Sequence, residues 1–293
     1  MRIRLPSAVI AVCAVLVLGT AACSSDDESD SASSATSIPV DELNAHLPST
    51  IRDSHTLRVV THTPFAPMEF WRDGRLVGFD VDVMTRVAKL LGVGVDLRDV
   101  SFPDLLPSVV GGSSDVAVAG LSDTAAREEQ VDMVTYLRAG TLWARKTGAD
   151  IGPHDACGRR VGAQTGTVQL TVELPAKSQA CETTGEKPLE IVGFASEIEA
   201  IDALKRGDVD AVSADSPVSA YAVETSHGEL ETTGGAFDTR PYGFAVSQRS
   251  ELGPVLREAV QHLIDSGELK EIAGRWGLER GVINKSVVNS AIK

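Results

Sequence analysis

Hydrophobic and polar positions along this chain switch between two periods, and the switches predict its elements. Leu57-Arg58-Val59-Val60-Thr61 reads as a first strand, broken by the loop Thr63-Pro64-Phe65-Ala66-Pro67. Over 79–91 the apolar residues Met84, Val87, Ala88 and Leu91 share one face at helical spacing. Asp80 is placed to cap that helix, Asp82 suits its positive first turn, and Gly92 ends it. A second strand follows over 93–99, then a short helix over 102–110 with Pro103 in its first turn. A third strand over 115–119 comes after the Gly111-Gly112 turn. This is β-α-β-α-β with short links, the pattern of a parallel sheet covered on both faces.

The pattern restarts at Cys157. Residues 160–163 predict a strand, and Gln164-Thr165-Gly166-Thr167 opens a helix. After a strand over 189–192, Ser196 and Glu199 form a capping box, with Ile198, Ile201 and Leu204 on the apolar side. A strand over 208–213 leads to Pro217 at a helix start, and 242–247 forms a further strand. Two amphipathic helices close the pattern, one carrying Leu252, Leu256, Ala259, Val260 and Leu263, the other Leu269, Ile272, Ala273 and Trp276. Two α/β units therefore meet around 139–142. Ligands of open α/β sheets bind beyond the carboxyl ends of the strands, so a cleft between the units is the expected site.

The N-terminus predicts export rather than fold. Arg2 and Arg4 precede an apolar run over 8–18, too short to span a bilayer, and Gly19-Thr20-Ala21-Ala22 leads into Cys23. Small residues before a Cys resemble a lipobox, although Thr20 stands where Leu, Val or Ile is usual. Residues 1–22 are thus expected to be a lipoprotein signal and Cys23 to carry the lipid. Residues 24–37 hold seven Ser and four acids, and 23–54 as a whole is expected to be a disordered tether. With Cys13 removed and Cys23 acylated, Cys157 and Cys181 remain. In an oxidising compartment they are expected to form one disulfide, worth about 3 kcal/mol in the loop-entropy account.

Composition removes several classes. The 293 residues carry 27 Lys+Arg against 41 Asp+Glu, a formal charge of −14, with basic residues scattered; a nucleic-acid partner is not expected. Six His and the Cys show no metal-ligand spacing. No dinucleotide or phosphate glycine loop, H-E-x-x-H or G-x-S-x-G is present, so no metal, cofactor or catalytic residue is expected.

Five stretches, in order, are similar to the polar amino-acid family (family 3) of solute-binding proteins that serve ABC importers. They are Phe65-Ala66-Pro67-Met68-Glu69-Phe70 continuing to Gly78-Phe79-Asp80-Val81-Asp82; Phe102 with Leu105-Leu106-Pro107; Ala119-Gly120-Leu121-Ser122-Asp123-Thr124-Ala125-Ala126-Arg127; Val161-Gly162-Ala163-Gln164-Thr165-Gly166-Thr167; and Asp210-Ala211-Val212-Ser213-Ala214-Asp215. The resemblance covers about residues 55–278. It implies an α/β, two-lobed periplasmic-binding-protein (type II, Venus-flytrap) fold with the ligand cleft between lobes. Lobe 1 would comprise 55–139 and 244–280, lobe 2 would comprise 141–242, and 281–293 would be a C-terminal tail.

The same resemblance implies the site. Arg127 would fork onto the ligand's α-carboxylate as Lys could not, helped by Ser122, Thr124 and the helix start at Thr167. Asp215 and the Gly120 carbonyl would take the α-ammonium, and Phe65 and Phe102 would wall the ligand. His62 stands where relatives that bind basic amino acids carry an acid, which favours glutamate, glutamine, aspartate or asparagine; Glu69 reads as structural. The implied protein is a monomer, lipid-anchored on the extracytoplasmic face, partnered by a free polar amino acid and a membrane permease. The competing expectations are an enzyme on the same fold, similar to cyclohexadienyl dehydratase, and a ligand-sensing subunit of a receptor. Glu173 and Glu199 are the lobe-2 acids an enzyme would draw on, and both read as helix-surface or capping residues.

Overall fold

The computed structural model describes residues 38–291. The signal, the lipobox and Cys23 lie outside the described residues. The strands are β1 Thr56–Thr61, β2 Phe70–Arg72, β3 Arg75–Val77, β4 Gly94–Asp99, β5 Val116–Ala117, β6 Val131–Lys146, β7 Arg160–Gln164, β8 Glu190–Phe194, β9 Ala211–Asp215 and β10 Leu230–Ser247. The helices are α1 Ser49–Ser54, α2 Phe79–Leu91, α3 Leu105–Val110, α4 Ala125–Glu128, α5 Leu174–Thr183, α6 Glu197–Arg206, α7 Ser216–Thr225, α8 Leu252–Asp265 and α9 Glu268–Arg275. Eight strands form one mixed sheet in the order β4-β1-β5-β10-β6-β9-β7-β8, and β2-β3 make a small hairpin.

β6 and β10 are the frame. They pair antiparallel from Val131 to Lys146, with irregular register between Thr233 and Arg240. At about 3.3 Å per residue, a strand of 16 residues reaches roughly 50 Å, enough to serve both halves of the molecule. β1 and β5 with β4 build the first lobe in parallel register, and β7, β8 and β9 build the second. In the first lobe, Val83, Met84 and Val87 of α2 share one core with Leu256, Val260 and Leu263 of α8 and Leu269 of α9. In the second, Trp143, Val161 and Leu174 fill one face of the sheet, and Ile201, Leu204, Val212 and Leu230 the other. Cys157 and Cys181 are joined by a disulfide that ties α5 to the loop before β7.

Several expectations need correction. Residues 40–54 are not tether: a 3₁₀ segment, Val40–His46, and α1 sink Leu43, Leu47 and Ile51 into the first lobe's core. Asp80 does not cap α2, whose N-cap is Gly78; its side chain is buried, accepting from the Gly120 N–H at 2.8 Å and the Tyr136 hydroxyl at 2.8 Å. The segment 102–110 starts as 3₁₀ and becomes α-helix only at Leu105. Past Thr167 the chain forms a π-helical turn, Gln169–Glu173, before α5. β6 has no counterpart in the sequence reading, and the strand expected over 242–247 is only the last third of β10.

Candidate ligand cleft

Most of the expected residues lie at or just beyond the carboxyl ends of the parallel strands. Thr61 ends β1 and His62 follows it; Gly120 and Ser122 follow β5; Gln164 ends β7; Asp215 ends β9. The two lobes touch here. A Cβ on Gly166, in lobe 2, would come within 3.2 Å of the Phe102 ring in lobe 1, and Phe70 packs against Tyr221 with ring centroids 5.9 Å apart. Gly120 has φ +53, and a Cβ there would meet Phe65 at 2.9 Å and Tyr242 at 3.2 Å. Glycine is therefore required for the aromatic floor to close on the backbone.

Arg127 lies on the one-turn helix α4. Thr124 is the N-cap, its hydroxyl accepting from the Arg127 N–H at 3.3 Å. The Arg127 guanidinium donates from Nη1 to the Ser122 carbonyl at 2.8 Å and sits over the Phe102 ring at 5.8 Å. Burial lowers its pKa from the ordinary arginine value, with Asp215 and then Tyr242 opposing that shift. One hydrogen bond to a carbonyl leaves most of a five-donor fork uncommitted.

Asp215 faces it from lobe 2. Gln169 Nε2 donates to Asp215 Oδ1 at 2.8 Å and lies 3.1 Å from the Thr141 hydroxyl. Burial raises the Asp215 pKa, opposed by Tyr242, Gln169 and Arg127. Thr167 caps the turn behind, donating to the Gln164 carbonyl at 2.7 Å and accepting from the Leu170 N–H at 3.4 Å. A cleft of about 500 Å³ opens beside Ser122, Thr141, Gln169 and Asp215. A free amino acid has room there; Lys177 and Arg240 line the same cleft, whereas Arg127, Phe65 and Phe102 do not.

Buried polar atoms lacking protein partners gather around this interface. They include Thr61 Oγ1, His62 Nε2, both side-chain polar atoms of Gln164, Glu197 Oε1 and the Tyr242 hydroxyl. His62 donates from Nδ1 to the Val100 carbonyl at 3.0 Å, so its partnerless Nε2 is the ring's free edge, and its ring meets Phe102 edge-on at 5.8 Å. Orphaned buried groups cost about 1–3 kcal/mol each, and so many at one interface point to a polar guest.

Acids dominate the charge. Glu197, the first residue of α6, is 3% exposed, and burial with Asp215 nearby pushes its carboxyl up to about 8. Glu69 is completely buried; desolvation and the neighbouring Asp80 raise it well above the usual carboxylate range. Asp80 is raised to about 6 by burial, while the Gly120 N–H and the Tyr136 hydroxyl pull it down. Glu173 departs from its expected surface position: it is buried, accepting from Trp143 Nε1 at 3.2 Å and the Ser213 hydroxyl at 2.8 Å. Glu199 caps, accepting from the Ala195 N–H at 3.1 Å. Gln164, Gln169, Glu197 and Tyr242 were not anticipated. The spacing of Gln169, two residues past Thr167 on the same turn, was the one available signal.

The profile of the bacterial extracellular solute-binding proteins, family 3, matches residues 57–279. The chain belongs to that family. It is 35% identical over 254 residues to the arginine-binding protein ArgT of Corynebacterium glutamicum, covering 86% of this chain and 84% of that one. Among solved structures, it resembles an ancestral arginine-binding protein bound to arginine, with TM-score 0.68 and 32% identity over 76% of this chain and 98% of the other. The structure of an ancestral arginine-binding protein bound to glutamine matches with TM-score 0.67. A third neighbour is the ancestral amino acid-binding protein AncCDT-1, a precursor of cyclohexadienyl dehydratase, with TM-score 0.68 and 25% identity over 78% of this chain and 98% of the other. This family member is thus an extracytoplasmic solute-binding protein of amino-acid transport, with the type II periplasmic-binding fold. Among the described residues, no helix is long and apolar enough to cross a membrane.

Proposed function

We propose that the protein captures a free cationic amino acid, arginine foremost, between its lobes and delivers it to an ABC permease, while a lipid on Cys23 holds it at the membrane. In this reading Arg127, with Ser122 and Thr124, grips the α-carboxylate. Asp215 and the Gly120 carbonyl hold the α-ammonium, Phe65 and Phe102 flank the side chain, and the Thr167 turn adds donors. Contact with both lobes is what lets the ligand bias closure.

The observation that carries the side-chain class is a run of buried acids: Glu197 and Glu69 both lie within electrostatic reach of Asp215, and Asp215 in turn opposes Arg127. A ligand with one carboxylate and two cationic groups offsets such an excess; a neutral or acidic one leaves it. His62 taken alone pointed to glutamate, glutamine, aspartate or asparagine, and the acids contributed by lobe 2 outweigh it. The arginine-binding relatives support the same direction.

A thermal-shift panel of all amino acids tests it, because a ligand of the folded state raises stability by RT ln(1 + [L]/Kd). Arginine, and more weakly lysine or histidine, are expected to give the largest shifts. A panel led by glutamate or glutamine overturns the cationic reading, and no shift with any amino acid overturns the capture reading.

A further inference from the structure

The C-terminal residues 282–291 lie beyond the family match, which ends at 279, yet they are built into the first lobe. There β6 pairs with β10 on one side only, because β9 joins it from Thr141 onward. The tail occupies that open edge. Val282 bridges Leu137 and Val288 bridges Val134. Thr135 N–H donates to the Val287 carbonyl at 2.9 Å, and the Ser286 hydroxyl donates to the Thr135 carbonyl at 2.6 Å. Asn289 exchanges bonds with the Met133 backbone, both at 2.8 Å. An exposed strand edge is thereby covered.

The strap ends behind Arg127. Ser290 gives both its N–H, at 2.8 Å, and its hydroxyl, at 2.7 Å, to Asp123 Oδ2. The Ala291 N–H donates to Glu128 Oε1 at 2.8 Å. Asp123 lies between Ser122, whose carbonyl holds the Arg127 guanidinium, and Thr124, the N-cap of α4. Its own N–H donates to the Pro241 carbonyl at 2.8 Å. The ligand loop is therefore clamped by β10 on one side and the strap on the other. A helix of four residues has almost no stability of its own, since nucleation is unfavourable and one turn returns little. What fixes Arg127 must come from outside α4, and Ser290 and Ala291 hold the residues at both of its ends.

We propose that the C-terminal strap is part of the carboxylate grip, with Ser290 a positioning residue that sets Arg127 through Asp123. The proposal rests on Arg127 taking the ligand's carboxylate. The test uses the full chain with S290P, which removes both donors to Asp123, S290A, which removes one, and S290T, which keeps both. Calorimetry with arginine is compared with argininamide, which keeps two cations and lacks the carboxylate. S290P is expected to weaken arginine about 10-fold and S290A about 3-fold, with S290T near wild type and argininamide unchanged throughout. Equal losses for arginine and argininamide, or wild-type affinity in both S290A and S290P, overturn the proposal. If the wild-type chain binds no amino acid at all, it is the capture reading that fails.

Discussion

The molecule buries two acidic groupings, and the acids Asp80 and Glu197 within them are held in opposite ways. In lobe 1, Asp80 is boxed by the Gly120 N–H and the Tyr136 hydroxyl, while burial and the neighbouring Asp80 raise the pKa of Glu69, whose two carboxyl oxygens have no partner. Tyr136 is in turn stacked on Phe244, with ring centroids 4.2 Å apart. In lobe 2, Asp215 has one donor from Gln169, while Glu197 Oε1 has no partner and Gln164 is bare at both ends. A partnered buried charge tells of architecture and a partnerless one tells of something to be bound, because folding alone leaves the second uncompensated. Removing the boxed Asp80 should therefore damage the fold, and removing a bare carboxyl such as that of Glu197 should damage capture.

The largest separation is expected at Arg127. Removing a buried charged partner costs about 2–5 kcal/mol, so R127A should weaken arginine binding more than 100-fold while leaving the circular-dichroism spectrum and the ligand-free melting temperature near wild type. Unchanged affinity by calorimetry would refute the carboxylate role. Next comes D80A, which strands two buried donors, the Gly120 N–H and the Tyr136 hydroxyl, at about 1–3 kcal/mol each. Chemical denaturation should show a loss of about 3 kcal/mol. If D80A instead spares stability and only lowers affinity, the division between the two groupings is wrong.

E197Q is the smaller and sharper step. It keeps the volume and removes the acid, so arginine affinity should fall about 10-fold, or about 1.4 kcal/mol, while glutamine affinity holds or improves. A loss shared equally by both ligands would return Glu197 to a structural role.

What was legible in the sequence follows the same line. Strands β1, β4 and β7 announce themselves because short apolar runs between turn residues have few alternatives, and α2 because its apolar face repeats at helical spacing. β6 did not. Most of its residues from Val131 to Trp143 are buried, on both faces, so alternation is lost, and Arg138 and Gly140 interrupt the apolar run where it crosses between lobes. Residues 40–54 looked like tether because Leu43, Leu47 and Ile51 are too sparse to signal a helix, although each is completely or almost completely buried. At the cleft, Arg127 and Asp215 were legible through the motifs around them. Gln164 and Glu197 were not, since one polar residue at a strand end or a helix start has no period and gains meaning only when the opposite lobe covers it.

The smallest effect is a pH slope, and it tests Glu197 without any ligand. Burial raises the Glu197 carboxyl from its ordinary value of 4.5 to about 8 in the folded protein. Between those values the folded state binds more protons than the unfolded state, so its stability is greatest at low pH and declines as pH rises through about 8. Glu69 is raised in the same direction, so the slope is shared. E197Q removes one of these contributions, leaving those of Glu69 and the other raised acids, Asp80, Asp123, Glu173 and Asp215. From pH 7 to 8.5 the melting temperature of ligand-free wild type should fall by about 3 °C more than that of E197Q, since a carboxyl raised to about 8 loses roughly 1 kcal/mol of stability over that interval and 1 kcal/mol corresponds to roughly 2–4 °C at this size. Saturating arginine should flatten the wild-type slope toward that of E197Q, because a bound cation favours the ionised carboxylate and binding then releases the proton. Parallel curves for the two proteins would mean that Glu197 does not titrate in this range. The charge count behind a cationic ligand would then rest on Asp215 and Glu69 alone.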